Sequence, residues 1–303
     1  MLPVVTSGMF DAKRFYYRRA HRILPPYYMA ALLSLILGAL YLNGFTQPVT
    51  TLGVLSHLFL VHNVHEQTMF QIDGPLWSVA LECQIYLLFP LLIAIRRRFG
   101  LLALLGSTYV VALPLQLAVA GTVYRGLMPI YLFVFALGMT AAELAMGPRK
   151  PIFVWLWIGS TLTVLMAWTH PAPWYPDVDA MVGVSAMSFM VVCAHWPRSV
   201  LARPVSWRPV SFLGTFSYSL YLIHFPLQQV LIDRLLLPHL GKMAACWTAT
   251  TIGTLVVGII SYGFYLLIEK PFLNKPPKTV PVSESQPVQN SFGKKEYAPS
   301  DAG

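Results

Sequence analysis

The chain has 303 residues, of which 56% are hydrophobic and only 11% charged, and its mean hydropathy is +0.60. A soluble domain carries about 25% charged residues, so composition excludes a soluble enzyme, and the recurrent uncharged runs of about 20 residues point to a polytopic membrane protein. The net charge of +9 falls between those runs, where it reports topology rather than a nucleic-acid surface.

Only helices or closed barrels satisfy their backbone in lipid, and continuous rather than alternating apolar runs specify helices. The expected fold class is therefore all-α: a polytopic membrane helix bundle of about eight transmembrane helices plus one short re-entrant or interfacial segment. The spans read as 25–43, 75–95, 100–120, 127–146, 152–169, 180–196, 211–236 and 243–268.

The first feature in chain order is "KRFYYRRAHRILPPYY" (13–28). Its cationic residues resemble an interfacial anchor, and Pro25 and Pro26 suit the start of a helix. Arg19 and Arg22 are three apart, share a helix face and suit the gripping of phosphate.

"GVLSHLFLVHNV" (53–64) follows. With the N-terminus in the cytoplasm and this piece not crossing, 18 of the 21 Lys and Arg fall inside, leaving only Arg125, Arg234 and Lys242 outside. That asymmetry is what the positive-inside rule asks for, so 53–64 reads as an outer re-entrant or interfacial piece. His57, His62, His65 and Glu66 crowd it without metal-ligand spacing, and read as a cavity lining or as partly solvated loop histidines. No metal site is expected. Cys83, Cys193 and Cys246 lie in apolar runs without disulfide or zinc spacing.

Two spans carry polar stripes. In 75–95, Ser78, Glu82 and Tyr86 recur at helical spacing; in 211–236, Ser217, Tyr221, His224 and Gln228 do so. Ionisable residues within spans default to functional hypotheses, and such stripes face a bundle interior. Glu82 lies nine residues from Asp73, and His224 nine from Asp233. If both aspartates mark the outer boundary, the carboxylate and the imidazole sit at a matched depth of about 13 Å and can pair with each other; the alternative is pairing with other residues that hold the bundle together. Residues 274–303, rich in Pro, Ser and Lys, read as a disordered cytoplasmic tail after a membrane domain of 1–273.

"FYYRRAHRILPPYY", "GPLWSVALECQIYLLFPLL", "LGTFSYSLYLIHFPL" and "YGFYLLIEKPF" together resemble, in family order, the signatures of the family-3 integral-membrane acyltransferases. The resemblance implies transfer of an acyl group, typically acetyl, from acyl-CoA to a saccharide or lipid-linked acceptor hydroxyl. It implies no cofactor beyond that donor, and a bacterial inner or plasma membrane; the charge asymmetry puts both termini in the cytoplasm. It places the paired-arginine motif on Arg19 and Arg22, the second signature on Trp77, Ser78 and Glu82, the third on Ser217, Tyr218, Tyr221 and His224, and the last on Glu269, Lys270 and Pro271. Substrate binding is thereby expected of Arg19, Arg22, Trp77, Ser78, Tyr218 and Tyr221, with Glu82 and His224 as catalytic candidates. The family also has two earlier spans, the first with a basic residue eleven positions before a histidine thought to be catalytic. That pair has no counterpart here, and the expectation is an N-terminally shortened chain. The alternatives to an active acyltransferase are an inactive truncated family member and a transporter-like bundle.

Overall fold

The computed structural model describes residues 10–41, 48–169 and 176–273. Among them the regular elements are helices, and no strand occurs. The expected tail lies outside the described residues.

Helix α1 runs Ala12–Tyr41. Its first turn is held by Asp11, whose side chain accepts from the Arg14 backbone N–H at 3.0 Å. Pro25 and Pro26 therefore sit inside this helix instead of opening it, which corrects the expected start at 25. A proline pair is tolerated within a membrane helix where neighbours supply polar partners, and beside it the Tyr218 hydroxyl donates to the Ile23 carbonyl at 3.1 Å.

Helices α2 (Thr51–Leu58) and α3 (Glu66–Met69) form the 53–64 region and its return. Eight residues extend only about 12 Å, too short to cross a bilayer core of ~30 Å. The Tyr27 hydroxyl donates to the His57 carbonyl at 3.0 Å and Tyr28 to the Leu58 carbonyl at 2.7 Å. Since Tyr27 stands midway along α1, α2 descends to the middle of that helix and returns, as a re-entrant piece does. Gln84 pins the returning loop by exchanging side-chain hydrogen bonds with Asn63 at 2.7 and 3.3 Å and donating to the Leu60 carbonyl at 3.0 Å.

The remaining bundle comprises α4 (Leu76–Phe99), α5 (Leu101–Val119), α6 (Ile130–Leu144), α7 (Ile152–Thr169) and α8 (Pro176–His195). After them come the short α9 (Ala202–Ser206) and α10 (Arg208–Thr215), then α11 (Ser217–Val230), which continues as π-helix over Leu231–Leu236. A last run joins α12 (Lys242–Thr248) to α13 (Thr254–Phe264) through π-helical turns. Among the described residues, seven helices are long and apolar enough to cross a membrane. The expected span 211–236 is helical but broken at Phe216, and its polar stripe dilutes its hydropathy. This is an all-α integral membrane protein.

The largest core joins α1, the segment before α4, α4 and α11 through Ile23, Tyr27, Ile72, Leu76, Val79, Leu222 and Ile223. A second cluster ties α4, α5 and α6 through Phe89, Leu92, Leu104 and Ala136. In lipid such packing works through van der Waals fit rather than water exclusion. Helix α7, whose only fully buried residue is Ser160, leans on α8 through a Thr161–Ser185 hydroxyl pair at 2.7 Å.

Candidate active site

Helices α1, α4 and α11 bring most of the residues singled out in the sequence to one side of the largest core. Tyr86 organises the part of this region beside Arg19. Its ring is buried, with Phe15 and Phe135 packed edge-on at 5.9 and 5.8 Å. The Arg19 guanidinium lies 4.7 Å from the ring centroid, a cation–π distance, and its Nη1 donates to the Tyr86 hydroxyl at 3.1 Å. That hydroxyl in turn donates to Glu82 Oε1, one helical turn away. Arg19, Tyr86 and Glu82 thus form one continuous polar line, and the caged phenol fixes where the carboxylate points.

A second link joins the two stripes. Ser78 Oγ and the Tyr221 hydroxyl lie 2.5 Å apart, and the Tyr221 hydroxyl also donates to the Pro75 carbonyl at 2.9 Å. The Trp77 ring packs edge-on to Tyr131 at 6.3 Å. Glu82 and Tyr221 are both exposed on the described bundle. An ionised side chain set against lipid within a span is costly, so this open face suits water, substrate or further protein.

Several expectations resolve differently. Glu82 and His224 do not pair: Glu82 takes the Tyr86 hydroxyl, and His224 Nδ1 lies 2.8 Å from the Tyr221 carbonyl on its own helix. The depth count failed because Asp73 is not a boundary residue. Asp73 is 2% exposed and accepts from Ser34 Oγ at 2.8 Å, whereas Asp233 is exposed. With Tyr221 level with Ser78, His224 stands about two helical turns from Glu82 along the bundle. The two arginines also part company. Arg19 is engaged by Tyr86, while Arg22 is exposed, with no hydrogen bond or ion pair among the described residues. The Tyr218 hydroxyl is spent on Ile23, and Ser217 donates to the Gly214 carbonyl at 3.1 Å.

Of the histidines expected to line a cavity or to be partly solvated, His65 is partly exposed and His57 lines a cavity beside α1, but His57 and His62 are both buried. His57 and His62 are 2% and 0% exposed and stack at 3.7 Å. Neither His57 Nε2 nor either ring nitrogen of His62 has a hydrogen-bond partner, nor does Asp73 Oδ1. Burial pushes the His57 imidazole down to about 4. It pushes His62 down to about 3, helped by the neighbouring His57 and opposed by the nearby carbonyls of Leu76 and Ser56. Burial raises Asp73 to about 7 against the opposing Ser34 hydrogen bond. His65 instead caps α3, accepting from the Gln67 N–H at 3.2 Å. No group of three potential ligands could hold a metal among the described residues.

Sequence reasoning gave no role to the buried pair between Ser219 and Glu269. Glu269 is 1% exposed and accepts from Ser219 Oγ at 2.5 Å and its N–H at 3.2 Å, locking α11 to the end of the last helical run. A carboxylate directly before a Lys-Pro at the end of an apolar run was the one available signal.

The sequence model of a family described as "Acyltransferase domain" matches residues 4–266. The chain belongs to that family. It is 24% identical over 308 residues to the putative peptidoglycan O-acetyltransferase YrhL of Bacillus subtilis strain 168, covering 89% of this chain and 47% of that protein. It is 25% identical over 249 residues to the peptidoglycan O-acetyltransferase OatA of Listeria monocytogenes, covering 71% of this chain and 40% of that protein. The chain therefore spans less than half the length of these curated relatives. No solved structure matches it. Family membership favours acyl transfer over a transporter-like bundle.

Proposed function

We propose that this membrane protein transfers an acetyl group from acetyl-CoA to a hydroxyl of a saccharide, with peptidoglycan, named in both relatives, as the acceptor class. The observation that carries the reading is the line Arg19–Tyr86–Glu82, which leads from the basic end of α1 to an exposed carboxylate within the bundle. Both termini are cytoplasmic in this reading, on the strength of the charge asymmetry, so the arginines meet the donor from inside. Arg22 grips a CoA phosphate, since a planar guanidinium matches phosphate oxygens, and Arg19 holds Tyr86 in place.

In the transfer step the acceptor oxygen attacks the thioester carbonyl. The C–O bond forms, the C–S bond breaks, and the hydroxyl proton passes to Glu82 and from there to the departing thiolate. A carboxylate oriented by a fixed phenol can act as such a general base without reorienting. Ser78 and Tyr221, one turn outward of Glu82, offer hydroxyls to the acceptor or to the tetrahedral oxyanion.

The test is incubation of the purified chain in proteoliposomes with radiolabelled acetyl-CoA and a soluble peptidoglycan glycan. Label should appear on the glycan as a base-labile ester. Label that remains on acetyl-CoA, while another acetyl donor is consumed, would replace CoA as the donor; no transfer from any donor would remove the reading.

A further inference from the structure

A cavity of about 390 Å³ opens between the end of α3, the α5–α6 connection and the start of α8. This volume lies within the ~300–1,000 Å³ of small-molecule sites. Phe70, Gln116, Arg125, Gly126, Met128 and Asp179 are among its lining residues. It stands at the end of the bundle away from Arg19, and none of these residues belongs to the family signatures or to the line through Tyr86.

Its walls are fixed while its polar groups are only partly used. Gln116 Oε1 accepts from the Ile130 N–H at 3.3 Å, which caps α6 and leaves the two amide N–H groups of Gln116 free to donate. Arg125 Nη2 bonds Glu66 at 2.5 Å, leaving further guanidinium donors. Asp179 has no hydrogen bond or ion pair among the described residues; Arg125, of opposite charge, lines the same cavity without pairing with it. The backbone at Met128 is left-handed (φ +40°), and a non-glycine residue held there is a recognised companion of ligand sites. Gly126 cannot carry a side chain, because a Cβ would stand 2.1 Å from the Asn63 carbonyl oxygen. The re-entrant loop and the floor of the cavity are therefore keyed to each other.

A relay of interactions through Tyr131 leads from the cavity toward the candidate active site. Tyr131, one turn beyond Met128, lies within electrostatic range of both Asp179 and Tyr221, and its ring packs on Trp77. Tyr221 in turn reaches Ser78.

We propose that this cavity is the binding subsite for the saccharide acceptor, a ring of the N-acetylated hexosamine type. The Asp179 carboxylate accepts from ring hydroxyls. The Gln116 amide and the Arg125 guanidinium donate to ring and acetamido oxygens, and Phe70 supplies an apolar wall for the C–H face. This mixture of an apolar wall with a few convergent donors and acceptors suits a polyol with one apolar face. The assignment rests on the acyl-transfer reading for its choice of ligand, but its residues are separate from those of the donor line.

The experiment uses the full chain in detergent or proteoliposomes, with a tetramer of N-acetylglucosamine as the acceptor probe and acetyl-CoA as the donor probe, each titrated separately. Asp179→Asn keeps the shape and removes the charge, and Phe70→Leu removes the wall; each should weaken the tetramer about tenfold or more. Acetyl-CoA affinity should not change. Equal tetramer affinity in wild type and both variants overturns the assignment and leaves the acyl-transfer reading standing. So does a wild-type chain that binds acetyl-CoA and no tetramer. Loss of tetramer binding in the variants, in a chain that neither binds acetyl-CoA nor transfers acetyl, supports the subsite and overturns the donor reading instead.

Discussion

Two polar groupings lie on either side of Tyr27 in α1, and they are built on opposite terms. Toward the Arg19 end, Arg19, Tyr86 and Glu82 are bonded to one another, and Glu82 is exposed. Toward the other end, His57, His62 and Asp73 are buried, with four side-chain atoms lacking partners. An unpaired buried polar atom costs about 1–3 kcal/mol, whereas a bonded, exposed carboxylate is relieved of most of that cost. On the proposed reading the bonded line presents its carboxylate for chemistry at its open end, while the buried cluster costs the fold stability through its unpaired atoms. Mutations that break one grouping should leave the other's property intact.

The largest effect belongs to the open line. Glu82→Gln should lower acetyl transfer by about 10²-fold or more, the ordinary worth of a general base, while the amount of folded protein and its melting temperature hold. Tyr86→Phe should cost less, because the carboxylate remains but loses its orienting hydroxyl. Transfer by Glu82→Gln at the wild-type rate would reduce Glu82 to a packing residue.

Next come changes in the pinned loop. Asn63 and Gln84 exchange hydrogen bonds, and Asn63 also donates to the Gly126 carbonyl at 3.1 Å. Asn63→Ala strands these groups, and a loss of ~2–3 kcal/mol in thermal unfolding is expected. His62→Phe should behave differently. It keeps an aromatic ring to stack on His57 and removes two unpartnered nitrogens, so the melting temperature should hold or rise. A fall comparable to that of Asn63→Ala would mean that the His62 nitrogens are bonded after all, and the contrast between the two groupings would collapse.

The helices were legible in the sequence because a membrane demands long apolar runs, and the re-entrant piece because charge bookkeeping left no room for a crossing. Glu82, Tyr86 and Tyr221 were legible as polar residues repeating at helical spacing. Asp73 was not. A carboxylate beside an apolar run looks like a boundary marker, and only Ser34, 39 residues away on another helix, reveals that it is buried. The same blindness hid the cavity at Gln116 and Asp179, made by segments that meet only in the fold, and the burial of His57 and His62, which Tyr27 of another helix helps to cover. Pro25 and Pro26 misled for the converse reason: local propensity favours a helix start there, and neighbours overrode it.

The pH response should separate the members of the buried cluster. Between about pH 4 and 7, folded Asp73 keeps a proton that the unfolded chain has released, given its rise from 3.8 to about 7. Asp73 therefore withdraws stability as pH rises through that window. His57 and His62 act in reverse: below their ordinary 6.5 the unfolded chain takes up protons that the fold refuses until about 4 and 3. Stability from the histidines is thus full above about 6.5 and declines as pH falls. Asp73→Asn removes only the first contribution and retains an oxygen for Ser34. Its melting temperature should exceed the wild type's at pH 8 by a few degrees, about 2–4 °C per kcal/mol, and the advantage should vanish near pH 4. An advantage that is the same at both pH values would show that the carboxyl proton is not involved.

The smallest effect should come from the arginines, and it sharpens the comparison within the bonded line itself. Arg22→Lys keeps the charge but loses the planar fork. At an exposed residue without partners among those described, the change should raise the apparent KM for acetyl-CoA about three- to tenfold, near the worth of one hydrogen bond to a charged group, and leave kcat alone. Arg19→Lys disturbs a guanidinium that lies over Tyr86 and bonds its hydroxyl. Its effect should therefore appear in kcat, through the orientation of Glu82, with KM little changed. Steady-state kinetics on the two single variants and the double variant give the decision. If both raise KM alike, the arginines act as one phosphate clamp and Tyr86 is a bystander. If kcat falls only in Arg19→Lys, the line from guanidinium to carboxylate is the working part of the site, and Arg22 is its point of contact with the donor.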